Sequence, residues 1–171
     1  MAIIKTKKFI LRPFKMSDAK GVVKAINNRT IARNTLTIPY PYKLKDAKEW
    51  LKKSLPQNKR KIIVNFCVEI DGKVAGSIGL HKIIKEHKAE LGYWLAEKYW
   101  GKGLMTKIVK QMTEFGFNKL KLKRIFAFTH PFNKASMRVL GNNGFKLEGI
   151  IRKNIKKSNK FLDSYLFSKI K

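Results

Sequence analysis

Residues 93–106 (YWLAEKYWGKGLMT) set an apolar strand pattern against two glycines and then, with no linker, an amphipathic helix. Without a Cβ at Gly101 and Gly103, the backbone can come close to a ligand and leave amide N–H groups pointing outward. Those amides lie at a helix N-terminus, where the dipole favours an anion. The segment therefore predicts a pyrophosphate cradle whose natural occupant is a phosphorylated molecule. So short a motif also reads as a plain tight turn. It is neither of two familiar phosphate loops. A P-loop needs four residues between its first glycine and a Gly-Lys-Ser/Thr, and a dinucleotide fold needs a third glycine where Thr106 stands.

The flanking pattern alternates strands and helices. Phe9–Phe14 reads as an opening strand, after which Ser17 and Asp18 can cap a helix through Val22, Val23 and Ile26. Pro39, Tyr40, Pro41 and Tyr42 break regular structure. Ala47, Leu51 and Leu55, at four-residue spacing, predict a helix from Leu44 to Leu55 that stops at Pro56. Strand-like segments follow near 62–70, 73–83 and 88–96, the first two joined by a hairpin at Asp71 and Gly72. Leu104, Ile108, Met112 and Phe115 mark one face of a helix ending near Leu120, and Arg124–Phe128 reads as a strand. A helix between strands implies a crossover and a parallel pair. A short helix over 134–142, stopped by Asn142, Asn143 and Gly144, precedes strands near 145–152 and 161–170. With no repeat, linker or low-complexity segment, one mixed α/β domain over residues 1–171 accounts for the pattern.

A chain of 171 residues is long enough to bury roughly two-thirds of the surface its unfolded form exposes. No apolar run approaches the ~20 residues of a membrane span, and the N-terminus has no secretory signal pattern, which predicts a cytoplasmic protein with no membrane partner. Cys67, in an apolar run, reads as a buried small hydrophobe, and His81, His87 and His130 lack metal-ligand spacing, so no metal is expected. Charge is the outlier: 39 Lys and Arg against 11 Asp and Glu give +28. Affinity for a polyanion such as a ribosome or other RNA fits this excess. So does a genome rich in A and T, because the lysines are spread over the whole chain and arginine is scarce. No helix-turn-helix, zinc or aromatic RNA-reading signature accompanies the charge.

Leu11–Phe14, Pro39–Tyr42, Gly76–Leu80, Glu90–Thr106 and Asn133–Ser136 with Asn143–Phe145, in that order and spacing, resemble the GNAT superfamily of N-acetyltransferases. The likeness is to the subgroup that acetylates N-terminal amines of ribosomal proteins. It implies a mixed, strongly twisted sheet of about seven strands flanked by helices. Two neighbouring parallel strands, here near 88–96 and 124–128, would splay apart to hold acetyl-CoA as donor. The family's pyrophosphate motif falls on Lys98, Tyr99, Trp100, Gly101, Lys102 and Gly103, with Leu104, Met105 and Thr106 opening the helix behind it. Lys98 replaces the usual Arg or Gln, which the backbone amides of the cradle do not depend on. The resemblance puts Trp94 and Leu95 beside the pantetheine arm and makes Asn133 its side-chain partner, with Ser136 one turn away. The other reading of Asn133 and Ser136 is a helix cap and a surface hydroxyl.

Acetyl transfer from a thioester to an amine needs a deprotonated amine and a proton for the departing thiolate. Glu90 is the candidate base, working through water; a structural partner for one of the many lysines is its other reading. Many family members use as acid a tyrosine where this chain has Leu140, which leaves Ser136 as the candidate donor to sulfur. The implied reaction is direct transfer in a ternary complex to a primary amine, foremost a protein N-terminus. A polyamine or antibiotic acceptor, or a basic ribosome-binding module with little catalysis, are the alternatives. The partners expected are acetyl-CoA, the amine acceptor and ribosomal RNA, for a monomer or homodimer.

Overall fold

The computed structural model describes residues 3–35, 37–60, 62–157 and 159–171. Its strands are β1 (Ile4–Lys5), β2 (Ile10–Pro13), β3 (Val64–Ile70), β4 (Lys73–Ile84), β5 (Lys88–Leu95), β6 (Arg124–Thr129), β7 (Lys146–Lys157) and β8 (Lys160–Ile170). The helices are α1 (Ala19–Ile26), α2 (Arg29–Asn34), α3 (Leu44–Lys59), α4 (Leu104–Asn118) and α5 (Lys134–Gly141). The strands form one mixed sheet in the order β1-β2-β3-β4-β5-β6-β8-β7. The eighth strand, absent from the sequence expectation of about seven, is β1. Its two residues pair with Leu11 and Ile10, too short a run to leave a period-two pattern.

The residues gather into two compact units, Met1–His81 with Gly92–Leu104, and Lys82–Leu91 with Met105–Lys171. In the first unit, Val22, Ile26, Ala47 and Leu51 are buried with Phe14, Tyr42 and Cys67, and Trp50 meets Phe14 edge-on at 4.9 Å between ring centres. Cys67 is the small buried hydrophobe expected, its thiol pushed up to about 12 mainly by burial. Asp71 and Gly72 both take positive φ between Ile70 and Lys73, the two-residue hairpin predicted.

Further details depart from the sequence reading, among them helix α2 (Arg29–Asn34), which it did not contain. Asp18 does not cap α1 through its side chain. It accepts two bonds from the Arg12 guanidinium, both at 2.8 Å, and one from the Lys15 N–H. Arg12 also reaches Glu69 of β3 at 2.6 Å, so the Leu11–Phe14 motif ties strand to helix entry. Helix α3 runs through Pro56 to Lys59 instead of stopping before it. Pro56 cannot donate to the Lys52 carbonyl, but Lys52 is exposed and water can serve there. Buried Asn58 then secures the last turn, donating to the Asn65 carbonyl at 2.9 Å and accepting its N–H at 3.0 Å.

In the second unit, β5 and β6 pair in parallel through Lys88–Glu90 against Arg124–Phe126, joined by the crossover helix α4. Ile108 and Met112 are fully buried, as their spacing predicts, together with Val109. β6 pairs antiparallel with β8, and β8 with β7. The last hairpin is longer than expected: β7 continues to Lys157, with a register break between Ile151 and Ile155. No helix among the described residues is long and apolar enough to cross a membrane.

Candidate functional site

The segment read as a cradle starts in the first unit, from the end of β5 onward. Gly76 of β4 allows that strand's close approach, since a Cβ there would lie 2.4 Å from the Trp94 carbonyl oxygen. The Ala96 N–H donates to the Ala75 carbonyl at 2.8 Å, and a 3-10 turn over Glu97–Tyr99 then reverses the chain. Asn28 Nδ2 donates to Glu97 Oε2 at 2.8 Å, and the Trp100 indole N–H donates to the Leu95 carbonyl at 2.7 Å. These bonds shape the turn. Gly101 and Gly103 follow with φ of 72° and 65°, left-handed values that residues carrying a Cβ disfavour. A Cβ built on either meets nothing within 4 Å, so open space lies over both. α4 begins at the next residue, Leu104. Its first amides have no intrahelical acceptor and carry the positive end of the dipole.

The remaining predicted cradle residues take distinct places. Lys102 is exposed, Trp100 is 38% exposed, Leu104 is buried, and Met105 and Thr106 are half-buried. Trp94 packs against the first unit's core, and the Leu95 side chain is buried with its carbonyl already engaged. These two can therefore meet a ligand mainly through their backbone. Lys98 lies over the Tyr99 ring, its Nζ 4.7 Å from the centre, so its charge is held beside the 3-10 turn.

In the second unit, Glu90 of β5 stands opposite Phe126. Its Oε2 is buried and lies 2.8 Å from Lys82 Nζ, at an angle outside hydrogen-bond geometry. The lysine-partner reading of Glu90 is thus present in the structure, and a role as base must coexist with that ion pair. Asn133 caps α5: its Oδ1 accepts the Ser136 N–H at 3.1 Å. The cap reading holds for the oxygen, while the Asn133 amide nitrogen has no partner among the described residues. Ser136 is half-buried on the first turn of α5, and Leu140 is fully buried, which removes any polar group from the position of the family's tyrosine.

Two residues gain weight only in three dimensions. Asn143 Nδ2 donates to the Thr106 carbonyl at 3.1 Å and to the Val139 carbonyl at 2.8 Å, tying the end of α5 to the first turn of α4. His130, directly after β6, is 2% exposed, and neither ring nitrogen has a hydrogen-bond partner among the described residues. Its imidazole stacks on Phe132, with 4.9 Å between centres and 8° between planes. Burial, and after it Lys157, pushes its pKa down.

The model of the acetyltransferase (GNAT) domain family matches residues 8–146. The chain belongs to that family. Among curated proteins it is similar to the uncharacterized N-acetyltransferase p20 of Bacillus licheniformis, 34% identical over 108 residues, which are 63% of this chain and 61% of that protein. It thus spans about three-fifths of that relative's length. It is 29% identical to the spermidine N(1)-acetyltransferase of Escherichia coli over 140 residues, 81% of this chain and 73% of that one. Among solved structures it resembles the ribosomal-protein-S5-alanine acetyltransferase of Vibrio fischeri, with 25% identity, a TM-score of 0.88, and coverage of 99% of this GNAT chain and 97% of the other. A ribosomal L7/L12 acetyltransferase, RimL, in complex with coenzyme A, shares the fold at a TM-score of 0.90 and 20% identity, covering 99% and 98% of the two chains.

Proposed function

We propose that this GNAT protein is a single domain over residues 1–171 that transfers an acetyl group from acetyl-CoA to a primary amine, foremost the N-terminal α-amine of a ribosomal protein. The observation that carries the donor is the cradle: two left-handed glycines with open space above them, immediately before the amides of α4. An anion with little steric bulk near the backbone fits there, and a pyrophosphate is such an anion. The coenzyme A bound by the RimL neighbour supports the same ligand. The ribosomal-protein acetyltransferase from V. fischeri supports the acceptor class.

In this reading, amides of residues 101–106 bind the pyrophosphate, and backbone of Trp94 and Leu95 with the Asn133 amide nitrogen orients the pantetheine arm. The amine nitrogen attacks the thioester carbonyl carbon, the C–S bond breaks, and the amine's surplus proton passes through water to Glu90. Ser136 donates a hydrogen bond to the leaving sulfur. Transfer is direct, in a ternary complex. The charge of +28 favours docking on ribosomal RNA in the cytoplasm.

A polyamine acceptor is the second reading, favoured by the similarity to spermidine N(1)-acetyltransferase. Incubating the protein with acetyl-CoA, N-terminal peptides of ribosomal proteins and spermidine, with acetylation followed by mass spectrometry, separates the two. A labelled peptide N-terminus supports the first. Label on spermidine alone replaces it, and no acetylated amine, with ribosomes also offered, removes the enzymatic reading.

A further inference from the structure

Within the second unit, Pro131, Phe132, Phe161, Leu162 and Asp163 line an open hollow of about 550 Å³. We propose that this hollow is a subsite for an organic ammonium group of the acceptor, a proposal that rests on the amine-acetyltransferase reading. The argument starts from Asp163, the acidic residue among those that line the hollow. Like Asp46, Glu49, Asp71, Glu97 and Glu114, it has no ion pair among the described residues, whereas Asp18, Glu69, Glu86, Glu90 and Glu148 pair with a Lys or Arg. Its Oδ1 accepts the Lys153 backbone N–H at 2.8 Å, which fixes the carboxylate and leaves Oδ2 for a ligand.

The backbone is bent to make that bond. The register of β7 and β8 jumps from Ile151 opposite Ser164 to Ile155 opposite Leu162, and Lys153 takes a φ of 51°. Asn154 Nδ2 donates to Ser164 Oγ at 2.8 Å, pinning the other side of the irregularity. A bulge that costs a strained residue is a device for aiming groups, and here it aims an amide at the hollow's carboxylate.

The hollow's other walls suit a cation with apolar flanks. Phe161 is 58% exposed and already has the Lys156 ammonium 5.8 Å from its ring centre, so its face attracts positive charge. Lys156 is an exposed side chain on a flexible stem that a bound ligand can displace. Phe132 is backed by the stacked, buried His130. Burial, and after it Lys157, lowers the pKa of that imidazole, so the positive charge on that side comes from Lys157 and not from the ring. His130 and Phe132 belong to the short segment that ends at Asn133, the cap of α5. The aromatic wall and the proposed cofactor contact thus share one stretch of chain.

The test uses n-pentylammonium, with 1-pentanol as its neutral isostere, titrated by NMR into the full protein and into Asp163→Asn and Phe161→Ala. Asn can still accept the Lys153 N–H, so the fold is kept. The ammonium should shift resonances of residues 131–132 and 161–163 and the alcohol should not, with affinity falling about tenfold in Asp163→Asn, the scale of one hydrogen bond to a charged group. In acetylation assays the same variant should raise KM for the amine about tenfold while leaving kcat and acetyl-CoA affinity unchanged. Equal binding of both probes, or unaltered ammonium affinity in Asp163→Asn, overturns the subsite. If the ammonium binds as described but no amine is acetylated, the subsite stands and the enzymatic reading falls. Acetylation with unchanged KM in Asp163→Asn has the opposite meaning.

Discussion

Around Gly101 and Gly103 the groups proposed to face a ligand are backbone amides, set by two left-handed glycines and the start of α4. Glu90 and Asn133, by contrast, are side chains that already have work: one lies against Lys82, the other caps α5. Bonds from Asn28, Trp100 and Ala96 shape the turn that leads into the first region. The second must share its polar groups between structure and chemistry. Binding the donor should therefore be sensitive to backbone shape and little affected by the side chains proposed for catalysis, and turnover should show the reverse.

Replacing Gly103 with Val puts that separation under the heaviest load. The branched side chain enters the open space over the cradle and takes a φ of 65° that it disfavours, so acetyl-CoA affinity should fall about a hundredfold or more. Calorimetry on a variant whose circular dichroism matches the parent is the measurement. Wild-type affinity in that folded variant breaks the cradle assignment altogether.

Glu90→Gln addresses the other region. It keeps shape and removes the proton acceptor, so kcat should fall about a hundredfold, the low end for a lost general base, with acetyl-CoA binding unchanged. Unchanged kcat at saturating substrates would leave Glu90 as Lys82's partner and nothing more. Ser136→Ala should have a smaller effect, about tenfold on kcat, because a hydroxyl only orients or weakly protonates the thiolate. A loss of acetyl-CoA affinity without a change in kcat would move Ser136 from chemistry to donor binding.

The same contrast explains what was legible beforehand. Two glycines at a strand-to-helix junction, or Asp71 and Gly72 between strands, constrain φ locally and can be read from adjacent residues. Helix α2 was missed because its six residues carry no full period and depend on Asn28, whose Oδ1 accepts the Thr30 and Ile31 amides. The length of α3 was missed because Asn58 finds its partner in β3. Lys82 beside Glu90, Asn143 against α4, the stacked His130 and the bulge that serves Asp163 are all contacts made by folding. No spacing rule marks them in a chain where lysine is everywhere.

His130 offers the smallest effect and the sharpest reading of that lesson, because its consequence appears in stability. Burial lowers its pKa below the usual 6.5, so the folded state holds the ring neutral while the unfolded chain protonates it. Stability should begin to decline as pH falls through 6.5 and continue until the ring protonates in the fold. A second decline should set in below about pH 4. There Asp18 loses the bonds from Arg12 and Lys15 that outweigh its burial, and Glu148, held at about 2 first by Arg124 and then by Ser168, follows. Glu148 is surface-exposed, so salt should screen its share and leave that of Asp18. In urea melts from pH 8 to pH 3, His130→Phe should flatten the first decline and leave the second. If the first decline survives that substitution, another group carries it, and the buried imidazole is better partnered than its surroundings indicate.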